Sequence, residues 1–183
     1  MLYSRKGDDG KTKIFGCDQS FAKSSIIAEA LGTLDEVNSF LGICKVEAKK
    51  SGFDVGGVSF ENLLGGMQQN LFIVQAEVAG ADKAIEESKL KDAEEIIDLI
   101  EKQLPPIKTF FVSGGTVLSS HLDFARTLAR KAERRVVAVS EEGKIQIDKN
   151  TLAYLNRLSS FLYALARLSN HKSGINEEQP NYK

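Results

Sequence analysis

The sequence predicts an all-α fold, a five-helix antiparallel bundle behind a glycine-rich N-terminal loop, and three observations carry that prediction. Five stretches place apolar residues at alternating spacings of three and four, the seam of an amphipathic helix. Short polar or glycine-rich connections join them, so successive helices lie side by side at shallow crossing angles. Strand patterning is thin: "FFV" at 110–112 and "KIQI" at 144–147 are short enough to be extended connections. The 183 residues suffice for one domain with a full core, divided into a loop (1–22), a bundle (23–171) and a tail (172–183).

The first helix, from about Lys23 to Ala48, carries Ile27, Leu31, Leu34, Leu41 and Cys44, with Asn38 interrupting the seam. A lone inward Asn commonly fixes the register between helices, and that structural role is favoured for Asn38. The second helix aligns Phe60, Leu64, Met67, Leu71, Val74 and Val78. The third aligns Leu90, Ala93, Ile97, Ile100 and Leu104 until Pro105 and Pro106 stop it. The fourth runs Leu118, Leu122, Ala125, Ala129, Ala132, Val136 and Val139 in one unbroken seam, whose small residues admit close neighbours. The fifth, after the turn-like "EEGKIQIDKN", carries Leu155, Leu158, Leu162 and Leu165. Apolar residues off these seams favour a homo-oligomer.

Composition narrows the function. Lys and Arg number 24 against 25 Asp and Glu, a net charge of −1, whereas a dedicated nucleic-acid binder carries a basic excess. Cys17 and Cys44 lie far apart without C-x-x-C spacing, which implies neither a disulfide framework nor a zinc site and fits a reducing cytoplasm. No apolar run approaches the roughly 18 residues of a membrane span. The opening "MLYSRKGDDGKTK" lacks the apolar core of a signal peptide. A di-iron bundle needs paired Glu-x-x-His motifs, and neither His121 nor His171 has a Glu three residues before it.

Two segments carry charge in a pattern that bears on chemistry. In "FARTLARKAERR" (124–135), with Ala125 at zero and about 100° per residue, Glu133, Arg126 and Arg130 fall at about 80°, 100° and 140°, a stripe beside the seam. Such a stripe is either a solvated flank of weak ion pairs or two guanidiniums one turn apart gripping phosphate oxygens, with Glu133 orienting them or holding a cation. The second segment, "YSRKGDDGKTKIFG" (3–16), is rich in glycine, hydroxyls and cations. It is either a tail or a phosphate-cradling loop. A P-loop is excluded: two residues separate Gly7 from Gly10-Lys11-Thr12 where the Walker pattern needs four, and no apolar strand precedes it.

Four blocks in order, "YSRKGDDGKT" (3–12), "ALGTLDEVNSFLG" (30–42), "HLDFARTLARKAERR" (121–135) and "YLNRLSSFLYALAR" (154–167), with a weaker "QQNLFIVQAEVA" (68–79), carry a resemblance. The sequence resembles the PduO-type ATP:cob(I)alamin adenosyltransferases from Tyr3 to about Arg167. The resemblance implies a five-helix bundle assembled as a homotrimer with ATP between adjacent subunits. It also implies transfer of the 5′-deoxyadenosyl group of ATP to cob(I)alamin, with Mg²⁺ and release of triphosphate. By matching position, Tyr3, Ser4, Arg5, Gly7, Asp8, Gly10, Thr12 and Lys23 would wrap the nucleotide, and Arg130, Glu133 and Asn156 would complete the site. Asp35 and Arg126 match an ion pair across the subunit interface, so Arg126 would orient the site through Asp35. An aromatic residue ahead of the Gly-Gly turn would displace the axial base of the corrinoid. By register with Gly114-Gly115 it is Phe110, with Phe111 as the alternative, and the bland reading is that both plug the bundle end. His121 matches a packing position, and the metal ligands are unassigned.

Three departures bear on the corrinoid side: Ser113 in "FFVSGG" where Leu-Pro is usual, Gln75 in place of a small residue, and "GINEEQPNYK" at the C-terminus, where Tyr182 could close the pocket. They leave a rival reading, an ATP-binding relative that carries or regulates cofactor without efficient transfer. A corrinoid reductase and an adenosylcobalamin-dependent enzyme are the partners the resemblance implies.

Overall fold

The computed structural model describes residue 3, residues 5–13 and residues 20–183. Five helices dominate: α1 Ile26–Ser51, α2 Phe60–Val78, α3 Glu87–Glu101, α4 Val117–Glu142 and α5 Lys149–Lys172. Two small hairpins accompany them, β1 Lys11–Lys13 with β2 Ser20–Ala22, and β3 Asp54–Val55 with β4 Val58–Ser59. No alternating apolar pattern marks these short strands in the sequence, so backbone pairing alone defines them.

Four of the five helices start where a side chain takes up a free N–H group, and α3, which follows Glu86, has no such side-chain cap. Ser25 accepts from Ala28, Ser59 from Asn62 and Asp148 from Asn150, while Thr116 and Ser119 form a reciprocal capping box at α4. Gly52 and Gly143, both left-handed, end α1 and α4. The third helix stops at Glu101, before the prolines expected to end it, and Leu104 lies in the turn beyond.

Cross-helix pairs set the directions. Glu29 and Glu36 of α1 meet Arg135 and Lys131 of α4, so these helices are antiparallel. Asn156 and Asn170 of α5 meet Glu133 and Thr116, so α4 and α5 are antiparallel too. Ile85, Glu94 and Pro105, from before, within and after α3, meet Thr151, Arg157 and Arg167 in the same order, so α3 lies alongside α5 in the same direction. The resulting up-down-up-down-up path puts the N-terminal loop at one end of the bundle. The 102–116 connection and the C-terminal tail lie at the other.

The expected seams of α2, α4 and α5 are buried throughout, and Leu34, Leu41, Leu71, Leu122, Leu155 and Leu162 are wholly enclosed. Each such side chain contributes about 1.5–3 kcal/mol relative to exposure. Alanines 125, 129 and 132 let α4 lie close to both α1 and α5. The α3 seam is peripheral: within the helix only Ala93 and Ile100 are buried. Beyond the predicted core, buried Glu77 accepts from the Asp148 N–H at 2.6 Å and from the Thr151 hydroxyl, which accepts from the Ile85 N–H at 3.1 Å. That chain ties the end of α2 to the starts of α3 and α5. Asn38 and Gln68 exchange side-chain-to-backbone bonds, the firmer being Gln68 Nε2 to the Asn38 carbonyl at 3.0 Å, which joins α1 to α2.

Candidate functional site

The charged run on α4 divides by direction. Lys131 and Arg135 point toward α1 and pair with Glu36 at 2.8 Å and Glu29 at 3.5 Å, exposed ion pairs that contribute little. Arg126, Arg130 and Glu133 flank the seam on the α5 side. Arg126 Nε donates to Asp123 Oδ1 at 2.7 Å. Burial alone would raise the Asp123 pKa, but hydrogen bonds from Arg126 and Ser113 and the guanidinium charge outweigh it and hold the carboxyl below its usual range. Its folded value therefore lies below its unfolded one, so its contribution to stability is complete above about pH 4 and is lost as pH falls through the lowered folded value. The exposed Arg130 guanidinium makes no hydrogen bond or ion pair with the described residues.

One turn further along, Asn156 Nδ2 donates to Glu133 Oε1 at 2.9 Å, and Asn156 Oδ1 accepts from Arg157 Nη1 at 2.9 Å. Arg157 continues to Glu94 of α3 at 2.8 Å. Glu133 is thus held in place by an amide, and among the described residues no cation pairs with it.

Arg126 and Arg130 line an open cleft of about 550 Å³ together with Phe110, Phe111, Asp123 and Tyr163. Burial pushes the Tyr163 phenol upward, so it remains a neutral hydroxyl there. The cleft lining combines aromatic rings, two guanidiniums and the hydroxyls of Ser159 and Ser160. The two phenylalanines behave differently. Phe110 is 78% exposed at the cleft, whereas Phe111 lies 5.0 Å beneath the Arg167 guanidinium and is half-buried. The Gly-Gly turn after them is clamped by Asn170, which donates to the Gly114 carbonyl at 2.9 Å and accepts from the Thr116 N–H at 3.2 Å. Gly115 has φ +109°, and a Cβ there would stand 2.2 Å from Asn170 Oδ1. Gly115→Ala is expected to destabilise the fold by about 1–3 kcal/mol through strain and the displaced amide. Thermal unfolding would register this, and an unchanged Tm would contradict it.

The N-terminal loop forms a separate cluster. Two tight turns, Arg5 to Asp8 and Gly7 to Gly10, lead into the first hairpin. Lys23 braces them: its N–H donates to the Gly10 carbonyl at 2.9 Å, and its Nζ to the Gly7 carbonyl at 2.8 Å. The Arg5 guanidinium sits 5.5 Å over the Tyr3 ring, and the Asp8 side chain is exposed. Thr12 and Lys13 border a groove of about 420 Å³ against Phe21, Leu31, Phe72 and Gln75. Gln75 of α2 therefore lines the groove that the loop borders. Ser4 and Cys17 lie outside the described residues.

Within one chain, Arg126, Arg130 and Phe110 share one cleft, and Glu133 with Asn156 stands beside it. Tyr3, Arg5, Gly7, Asp8, Gly10, Thr12 and Lys23 gather at the other end, against α1 and α2. Among the described residues no hydrogen bond or ion pair joins the two groups. Asp35 is exposed on α1 and pairs with no described residue, while Arg126 is taken by Asp123. His121 packs edge-on to Phe40 at 5.8 Å, and its buried Nδ1 has no hydrogen-bond partner among the described residues.

Sequence reasoning passed over Asp123, Tyr163 and the two serines. Spacing carried a signal: Asp123 is three residues before Arg126, and Ser159, Ser160 and Tyr163 continue the face of Asn156 by helical steps. Among the described residues no group of three or more His, Cys, Asp or Glu is arranged for a metal, and no helix is long and apolar enough to cross a membrane. Buried Cys44, its thiol pushed up to about 12 by burial, offers no nucleophile.

Comparison with known proteins adds to this geometry. The family profile described as cobalamin adenosyltransferase matches residues 2–169. A corrinoid adenosyltransferase PduO of Citrobacter freundii is 38% identical over 182 residues, 96% of this chain and 51% of that protein. A corrinoid adenosyltransferase of Bacillus subtilis (strain 168) is 36% identical over 187 residues, 96% of this chain and 90% of that protein. The chain thus spans about half the length of the first relative and most of the second. Among solved structures, a variant PduO-type ATP:corrinoid adenosyltransferase from Lactobacillus reuteri, complexed with cobalamin and ATP, superposes with a TM-score of 0.86 at 31% identity. The match covers 100% of this chain and 97% of that one.

Proposed function

The chain belongs to the cobalamin adenosyltransferase family, and on that premise we propose that it transfers the 5′-deoxyadenosyl group of ATP to the cobalt of cob(I)alamin. The observation that carries the reading is the cleft of Arg126, Arg130 and Phe110, where an uncommitted guanidinium and an exposed aromatic ring face one open space. Co(I) is itself a strong nucleophile. Its electron pair forms the cobalt–carbon bond at C5′ as the C5′–oxygen bond breaks, and triphosphate departs with that bond's electrons. No general base is needed, which agrees with a cleft that holds neither a histidine nor an uncommitted carboxylate. The protein's work is to align C5′ with cobalt and to stabilise a polyanion.

Arg130 is the residue for that anion, free to meet phosphate oxygens with a planar pair of donors. Asp123 fixes the guanidinium of Arg126. A magnesium ion travelling with the phosphates requires only one or two protein oxygens, and Glu133, held by Asn156, supplies such a carboxylate. Of the two phenylalanines, Phe110 suits base displacement, because Phe111 is occupied by Arg167.

The loop and the arginine flank lie on different faces of one chain. Two copies side by side, as in a homotrimer, would join them into one nucleotide site, with Tyr3 to Thr12 and Lys23 from one copy and Arg130, Glu133 and Asn156 from the next. Asp35, exposed and unpaired among the described residues, is then available to Arg126 of a neighbour. Asp35→Ala is expected to weaken ATP binding at least about tenfold, roughly 1.4 kcal/mol, or to break the trimer. Light scattering and nucleotide titration report the two effects, and a trimer of unchanged affinity would contradict the pair. A reductase that supplies Co(I) and an enzyme that uses the product are the partners this reaction calls for, in a reducing cytoplasm.

The deciding experiment incubates the chain with ATP, Mg²⁺ and chemically reduced cobalamin and follows adenosylcobalamin absorbance and triphosphate together. Stoichiometric appearance of both is expected. ATP binding without either product would establish a nucleotide-binding carrier instead.

A further inference from the structure

The 102–116 connection has neither helix nor strand around Phe110, yet it is anchored at several points by the end of α5 and the tail. Arg167 Nη2 donates to the Pro105 carbonyl at 3.3 Å, and its guanidinium covers the Phe111 ring at 5.0 Å. The Val112 N–H donates to the Glu178 carbonyl at 2.8 Å. Phe110 thus projects from a segment pinned immediately after it and again five residues before it.

Arg167 is 4% exposed and is itself held by Glu177, whose two carboxylate oxygens take Nε and Nη2 at 2.7–3.0 Å. A planar two-point grip of this kind fixes direction as well as charge. Glu177 does not line the cleft that Phe110 borders, and its hydrogen bonds run to Arg167. It also lies beyond the residues 2–169 matched by the family profile, in the tail whose sequence departs from the family pattern.

We infer that Glu177, acting through Arg167, is a positioning residue that latches the Phe110 segment at the corrinoid side of the cleft. Held loosely, a segment without its own secondary structure spreads over many conformers, and ordering it falls to each binding event. Held by the latch, Phe110 is presented ready. The nucleotide half of the site, built on Lys23 and the N-terminal turns, makes no contact with this latch among the described residues.

This inference rests on the proposed adenosyl transfer, and the experiment separates the two. Glu177→Gln, which keeps the shape and loses the charge, and the double variant Arg167→Met with Glu177→Leu, which removes the pair without leaving a lone charge, are compared with wild type. Amide hydrogen exchange at residues 107–113, KM for cobalamin and KM for ATP are measured on each. In both variants, exchange of the Val112 amide is expected to quicken about tenfold or more and the cobalamin KM to rise at least about fivefold. The ATP KM should stay within about twofold. If the double variant shows wild-type cobalamin kinetics, whatever its thermal stability, the pair does not position Phe110 and the inference is overturned. Unchanged exchange at Val112 overturns it as well. A wild-type chain that binds ATP but forms no adenosylcobalamin overturns the functional reading and with it any corrinoid role for the latch, while the exchange data still report whether Glu177 holds the segment.

Discussion

Arg130→Ala is expected to lower adenosyl transfer by about 100-fold or more, the scale of losing one preorganised charge partner of a developing anion. The fold should be untouched. Arg130 is exposed, and its guanidinium has no partner among the described residues, so its removal leaves no buried group unsatisfied. Most of the loss should fall on kcat, since charge accumulates on the triphosphate as the C5′–oxygen bond breaks. Arg130→Lys tests the geometry: an ammonium keeps the charge but not the two parallel donors, and an intermediate rate is expected. Steady-state kinetics with reduced cobalamin, beside circular dichroism and light scattering, make the comparison. Full activity in the alanine variant would remove Arg130 from the site.

Arg167→Ala should have the largest effect on stability, about 3–5 kcal/mol, because it strips the partner from Glu177 in a site where the two side chains are 5% and 17% exposed. For a chain of this length that corresponds to a Tm lower by roughly 6–20 °C. The loss has three parts: the paired carboxylate, the Pro105 carbonyl and the face of Phe111. The Arg167→Met, Glu177→Leu double variant should recover most of it, since a lone charge costs more than a missing pair. A Tm within about 2 °C of wild type for Arg167→Ala would show that the tail is not secured through this side chain.

The seams of α2, α4 and α5 were legible because each helix buries a wide stripe, so every seam residue meets the core. The α3 seam was less so. That helix touches the bundle along a narrow line, which leaves Leu90 and Ile97 half-exposed. The N-terminal hairpin was missed because its residues alternate nothing apolar. The buried acid Glu77 was missed because a carboxylate looks the same in sequence whether it meets water or the hydroxyl of a threonine 74 residues later. On α4 the angles separated Arg126, Arg130 and Glu133 from the seam, but angles carry no information about which neighbouring helix a flank will face.

By itself the amino-acid sequence determined the helices, the inward stripes and a family likeness dense enough to nominate the nucleotide residues. These follow from periodicity and local chemistry, which act over one or two turns of chain. Only the tertiary structure decided that Lys131 and Arg135 are spent on α1 while Arg130 stays free, that Phe110 projects where Phe111 is covered, and that Glu177 reaches back to the buried Arg167. Those outcomes depend on which surfaces meet across the bundle. Contacts between residues tens of positions apart are set by packing of the whole core and not by the spacing of any one segment.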